Sequence, residues 1–62
     1  MTYVEIWSEN VNEYYINIVK EGKKDVFVDE IAKTKDRSLA SYIAKHIATK
    51  HKLNIQFRIN NS

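Results

Sequence analysis

Only one stretch of this chain carries a helical period; the other regular stretches alternate. From about residue 36 to 51, Leu39, Ile43 and Ile47 recur every four residues, and Ala40, Ala44 and Ala48 repeat that spacing one position on. Together they draw a single apolar stripe along an α-helix. Thr34 or Asp36 caps its start by accepting from the backbone N–H groups left unpaired in the first turn. Lys50, His51 and Lys52 place positive charge at the negative end of the helix dipole. Such a helix is ~24 Å long at about 1.5 Å per residue, and one helix covers one face of a sheet.

The sheet comes from four alternating segments. Thr2 to Ser8 sets Val4 and Ile6 on one side and Tyr3, Glu5 and Trp7 on the other. Ser8 to Asn12 is polar and asparagine-containing, so it reads as a turn. Glu13 to Lys20 alternates Tyr14, Ile16 and Ile18 against Tyr15, Asn17 and Val19. The only glycine, Gly22, then marks the best hairpin turn, because glycine adopts positive φ at no steric cost. Asp25 to Asp29 is a short third strand with Val26 and Val28 facing one way and Phe27 the other. After the helix, Leu53, Ile55, Phe57 and Ile59 alternate with Asn54, Gln56 and Arg58.

The order is β-β-β-α-β, an α+β domain. Two hairpins make the first three strands antiparallel, and a right-handed helical crossover returns the fourth strand parallel to the first. The predicted sheet is mixed, four-stranded and ordered 4-1-2-3, with the helix packed on one face. The covered face is then Val4, Ile6, Ile16, Ile18, Val26, Val28, Leu53, Ile55, Phe57 and Ile59 against Leu39, Ala40, Ile43, Ala44 and Ile47. Nothing remains to cover the other face, which holds Tyr3, Glu5, Trp7, Tyr15, Asn17, Val19, Phe27, Asn54, Gln56 and Arg58.

Size sharpens the consequence. Residues 1–62 make one small domain of 7.3 kDa. A domain of this length buries only about 60% of its unfolded surface and is stable by roughly 3–9 kcal/mol. The chain has no cysteine, which removes disulfides, thiol redox chemistry and thiolate metal sites. It has no apolar run of membrane-spanning length, and its first residues lack a basic end followed by an apolar core, so a cytoplasmic location is expected.

Chemistry that would mark an enzyme is missing from the pattern. His46 and His51 are five apart, about 140° from each other around a helix, where metal pairs need one face. His51 is expected to pack at the helix end and His46 to lie on a flank. Gly22 is alone, so there is no glycine-rich phosphate loop, and Ser38 and Ser41 have no His–Asp partners at a workable spacing. Asp25, Asp29 and Glu30 cluster near a strand end but have no deep pocket to serve. No catalytic residue, metal or cofactor is therefore assigned.

Two surfaces remain. The open face gathers aromatics with Arg58 at their margin, the composition of a binding hot spot. Tyr3, Trp7, Tyr15, Phe27, Gln56 and Arg58 form the candidate protein-binding or dimer face. Two copies burying it would enlarge a small core, so a homodimer is expected. The second surface follows from charge. Residues 1–30 carry seven acids against Lys20, Lys23 and Lys24, whereas residues 31–62 carry seven bases against Asp36 alone. Lys35, Arg37, Lys45, Lys50 and Lys52, interleaved with small hydroxyls on and beside the helix, are candidate phosphate contacts.

Three strands and a helix, with Thr34, Lys35 and Asp36 at the helix entry, make residues 13–50 resemble the small DNA-binding modules at the start of phage-type integrases. The fourth strand departs from that plan, and the resemblance assigns no role to any residue. The expectation is a small non-catalytic protein that modulates another protein through its aromatic sheet face. Size and composition suit an inhibitor from a phage or other mobile element. The alternative is a nucleic-acid-binding regulator that uses the basic helix and C-terminal half.

Overall fold

The computed structural model describes residues 1–10 and 12–59. Val11, inside the expected first turn, lies outside the described residues. Strands β1 (Thr2–Asn10), β2 (Glu13–Glu21) and β3 (Val26–Thr34) precede helix α1 (Arg37–His51), and β4 (Asn54–Ile59) follows it. The sheet order is β3-β2-β1-β4, antiparallel except for the parallel pair of β1 and β4. This is the α+β arrangement that the alternation and the single helix require.

Local chemistry sets the helix ends. The Asp36 carboxylate accepts from the N–H groups of Ser38 at 2.8 Å and Leu39 at 3.3 Å, while the Thr34 hydroxyl oxygen accepts from the Asp36 N–H at 3.1 Å. At the other end Lys52 is left-handed, with φ of 55°, and the Leu53 N–H donates to the Ala48 carbonyl at 2.8 Å. That closure turns the chain into β4.

Val4, Ile6, Tyr14 and Ile16 pack against Ala40, Ala44 and Ala48, and Ala32, Ile43, Ile47, Leu53, Ile55 and Ile59 fill in around them. The helix rests on its alanines, so its backbone lies close to the sheet while Ile43 and Ile47 wedge in beside the stripe. Leu39 and Phe57, expected in this layer, stay largely exposed, and Ile18 is half-buried.

The third strand differs most from its sequence reading. It runs nine residues rather than five, because β2 offers a partner along its whole length. Ile16 pairs with Ala32 but Asn17 pairs with Glu30, which leaves Ile31 as an extra residue in a bulge. Beyond the bulge the alternation shifts by one, which sets Lys33 opposite Tyr15; before it, the register runs unbroken from the hairpin. Val26 and Val28, paired with Glu21 and Val19, fall on the open face, and Phe27, paired with Lys20, falls on the helix side. The predicted facing of all three is thus reversed. Alternation within five residues shows only which side chains share a face, and strand pairing decides which face that is. The helix does not cover this corner, and Phe27 is 66% exposed.

Two smaller corrections concern the turns. Gly22 does not have positive φ, and its N–H donates to the Asp25 carbonyl at 2.8 Å. Strand β1 continues to Asn10, through a register shift between Trp7 and Asn10. Ser8 is fully buried there, with its hydroxyl donating to the Asn10 carbonyl at 2.6 Å.

Candidate sheet-face site

Strand pairing arranges the open face in rows that cross all four strands. One row reads Lys33, Tyr15, Trp7 and Arg58, from β3 to β4. The next reads Glu30, Asn17, Glu5 and Gln56, and the one below it Val28, Val19, Tyr3 and Asn54. Each row brings together residues far apart in sequence.

The aromatic row is a stacked unit. The Trp7 and Tyr15 rings lie 5.4 Å apart at 50°, and the Lys33 ammonium sits 5.3 Å from the Tyr15 ring centroid. The Tyr15 hydroxyl donates to Glu13 at 3.2 Å, which holds the ring upright at the strand end. Both aromatics are half-buried, each with one side toward solvent.

The polar row beneath is a closed network. Asn17 donates to Glu5 at 3.2 Å, and Arg58 meets the other Glu5 carboxylate oxygen at 3.2 Å. Glu5 and Asn17 are buried, so the pairing offsets a desolvation cost that neither group could bear alone. Between the two rows lies a concavity of about 610 Å³ lined by Glu5, Trp7, Tyr15, Asn17, Val28, Glu30 and Arg58.

Tyr3 lies lower on the same face but is only 2% exposed, as is its cross-strand neighbour Val19. Its hydroxyl donates to Glu21 at 2.8 Å; that bond, reinforced by burial, holds the Tyr3 phenol above its ordinary ionisation range. Tyr3 is therefore a structural residue rather than an exposed anchor.

Of the six residues offered from sequence as the protein-binding or dimer face, the structure groups Trp7, Tyr15, Gln56 and Arg58, buries Tyr3, and moves Phe27 to the other side. It adds Glu5, Asn17 and Glu30 to the site, and Lys33 to its rim. A buried glutamate and asparagine at matching mid-strand positions were visible as polar breaks in two apolar strands. Lys33 was not visible, because the third strand appeared to end before it.

The second surface lies on the opposite side. Lys35, Arg37, Lys45, Lys50 and Lys52 are all exposed, and α1 contains no acidic residue. Tyr42, Lys45, His46 and Thr49 line a shallow depression of about 310 Å³ on the helix. His51 is exposed rather than packed at the helix end. Among the described residues, no group of three His, Asp or Glu side chains could hold a metal ion, and no helix is long and apolar enough to cross a membrane.

The fold and the site thus define a four-stranded mixed sheet with one helix behind it and an aromatic, partly charged face in front. No protein family, curated protein or solved structure matches the chain.

Proposed function

We propose that this is a non-catalytic binding protein that modulates another protein through its open sheet face. The observation that carries the reading is the half-buried Trp7–Tyr15 pair at the mouth of the concavity, with no helix or strand among the described residues above it. Rigid aromatics flanked by charged groups are what interface hot spots are built from. Charge selects the partner class. Glu5, Glu13, Glu21 and Glu30 share this face with only Lys33 and Arg58, four acids against two bases. A net acidic face repels phosphate backbones and suits a protein surface that presents lysine or arginine. Size and composition fit an inhibitor of the kind mobile elements carry.

The test is a pull-down from the native host with wild-type protein and Trp7→Ala, with and without nuclease. A partner retained through nuclease treatment and lost with Trp7→Ala supports the reading. A partner equally retained by both proteins overturns it.

The acid-free helix favours nucleic acid as a second reading, served by Lys35, Arg37, Lys45, Lys50 and Lys52. Binding of that kind falls steeply with salt, because each neutralised phosphate releases counterions. Lys45→Glu with Lys52→Glu should abolish it and leave the fold intact. No binding to DNA or RNA at low salt would eliminate this reading.

A further inference from the structure

Two polar groups in the open-face concavity are left without a partner by the chain itself. Glu30, on β3, is exposed at its rim and forms no ion pair among the described residues. Asn17, paired with it from β2, donates an amide N–H to Glu5, and its carbonyl oxygen accepts nothing among the described residues. Asn17 is only 7% exposed, yet none of its polar atoms is sealed off without a partner. The free oxygen therefore opens into the concavity that Asn17 lines. Both free groups are acceptors.

The aromatic wall has an open position as well. Rings on this face already attract a cation, since the Lys33 ammonium lies 5.3 Å from the Tyr15 centroid. Trp7, the better cation acceptor of the two, has no cation over its ring among the described residues. Arg58 is its cross-strand neighbour but turns its Nε to Glu5, at 3.2 Å. That pair cancels its own charge. Glu5, Glu30 and Arg58 are the charged lining residues, so Glu30 is the charge left over and the concavity is net negative.

We propose that this concavity receives an arginine side chain of the partner protein. A guanidinium is flat, so it can lie against the Trp7 indole while the N–H groups on its edge donate to Asn17 and Glu30. The strand order suits this, because Trp7 on β1 and Glu30 on β3 flank the concavity and Asn17 on β2 lies between them. The incoming charge neutralises Glu30, and the bond to its carboxylate is charge-assisted. A lysine ammonium fits less well. It is a strongly hydrated point charge, and it cannot lie flat on a ring while donating sideways. An anion would instead meet Glu5 and Glu30 as like charges.

The inference rests on the sheet-face reading and specifies its partner. Trp7 then acts as the wall of a pocket that an arginine enters, rather than as a knob inserted into the other protein. Charge sets the choice of side chain. A neutral side chain of the same shape would fill the space and leave Glu30 unpaired.

The test uses the full chain with N-acetyl-arginine amide as probe, followed through the indole N–H resonance of Trp7, the only tryptophan. At constant ionic strength the resonance should shift and saturate, half-way at about 1–10 mM for so small a ligand. The citrulline counterpart, of the same shape without the charge, should leave it unmoved up to about 50 mM, and the lysine counterpart should bind at least about fivefold more weakly. Glu30→Gln should weaken arginine binding about tenfold. Because Glu30 is exposed, that variant should melt within a few degrees of wild type. No saturable shift with arginine, equal shifts with citrulline or lysine, or arginine binding indifferent to Glu30→Gln would each overturn the proposal. Partner capture keeps the two readings apart. A nuclease-resistant partner lost with Trp7→Ala but held by Glu30→Gln refutes the arginine contact and leaves the sheet-face reading standing. A partner held equally by Trp7→Ala overturns that reading and this inference with it.

Discussion

Replacing Trp7 with alanine separates a binding anchor from a core residue. Removing a fully buried tryptophan costs about 3–5 kcal/mol. Trp7 is half-buried and lies on the face away from the helix, where its main ring contact is Tyr15 at 5.4 Å. An aromatic pair of this kind adds about 0.5–1.5 kcal/mol beyond area burial. Taken with half of the roughly 1.5–3 kcal/mol that burying a large apolar side chain contributes, the expected loss is about 2 kcal/mol. The whole domain is worth roughly 3–9 kcal/mol, so the variant should remain folded at room temperature. At about 4–8 °C per kcal/mol, its melting temperature should fall by about 10–15 °C. Ile16→Ala is the reference, since Ile16 is fully buried between sheet and helix and its truncation should cost about 2–5 kcal/mol. Thermal melts by circular dichroism give the stability of each variant, and partner capture gives the binding. Trp7→Ala should lose at least about 2 kcal/mol of binding while folded. If it melts no higher than Ile16→Ala at every protein concentration, Trp7 is a core residue and the orientation of β1 is wrong. If it stays folded and still binds, the open face is not the site.

Gly22→Ala should leave stability unchanged or raise it by up to about 1 kcal/mol, because Gly22 lacks positive φ and an added Cβ would meet only the Asp25 carbonyl oxygen at 3.4 Å. Lys52→Gly should raise the melting temperature by several degrees, since a lysine now occupies the left-handed position that glycine fills without strain. Ala44→Leu should cost about 1–3 kcal/mol in a denaturant melt, because Ala44 has no free surface and a larger side chain must lift the helix from the sheet. Tyr3 introduces an alkaline limit. Its neutral phenol is the form that donates to Glu21, so its contribution is complete below about pH 10 and is lost as pH rises through the elevated folded value. Wild type should therefore lose stability in that alkaline range, and Tyr3→Phe should lack this step in a pH series of melts.

Strand existence, helix position and sheet order were legible in the sequence, because each follows from periodicity and chain connectivity. Leu39, Ile43 and Ile47 with their trailing alanines could only be one helix. Asp36 announced its start, and a single helix after two hairpins returns the fourth strand beside the first. The polar network was half legible, as Glu5 and Asn17 interrupt apolar strands at positions that share a face. Three things were not legible. The Ile31 bulge depends on how β2 and β3 pair over their full length, and no local pattern within Asp25 to Asp29 reveals it. That bulge brings Lys33 beside Tyr15, while the exchange of Phe27 for Val26 and Val28 on the open face depends on the register that starts from the Gly22–Asp25 turn. The burial of Tyr3 depends on packing with its cross-strand neighbours and its bond to Glu21, eighteen residues away. Alternation decides which side chains travel together, but long-range pairing decides which way they face, and here that choice leaves the β3 edge bare.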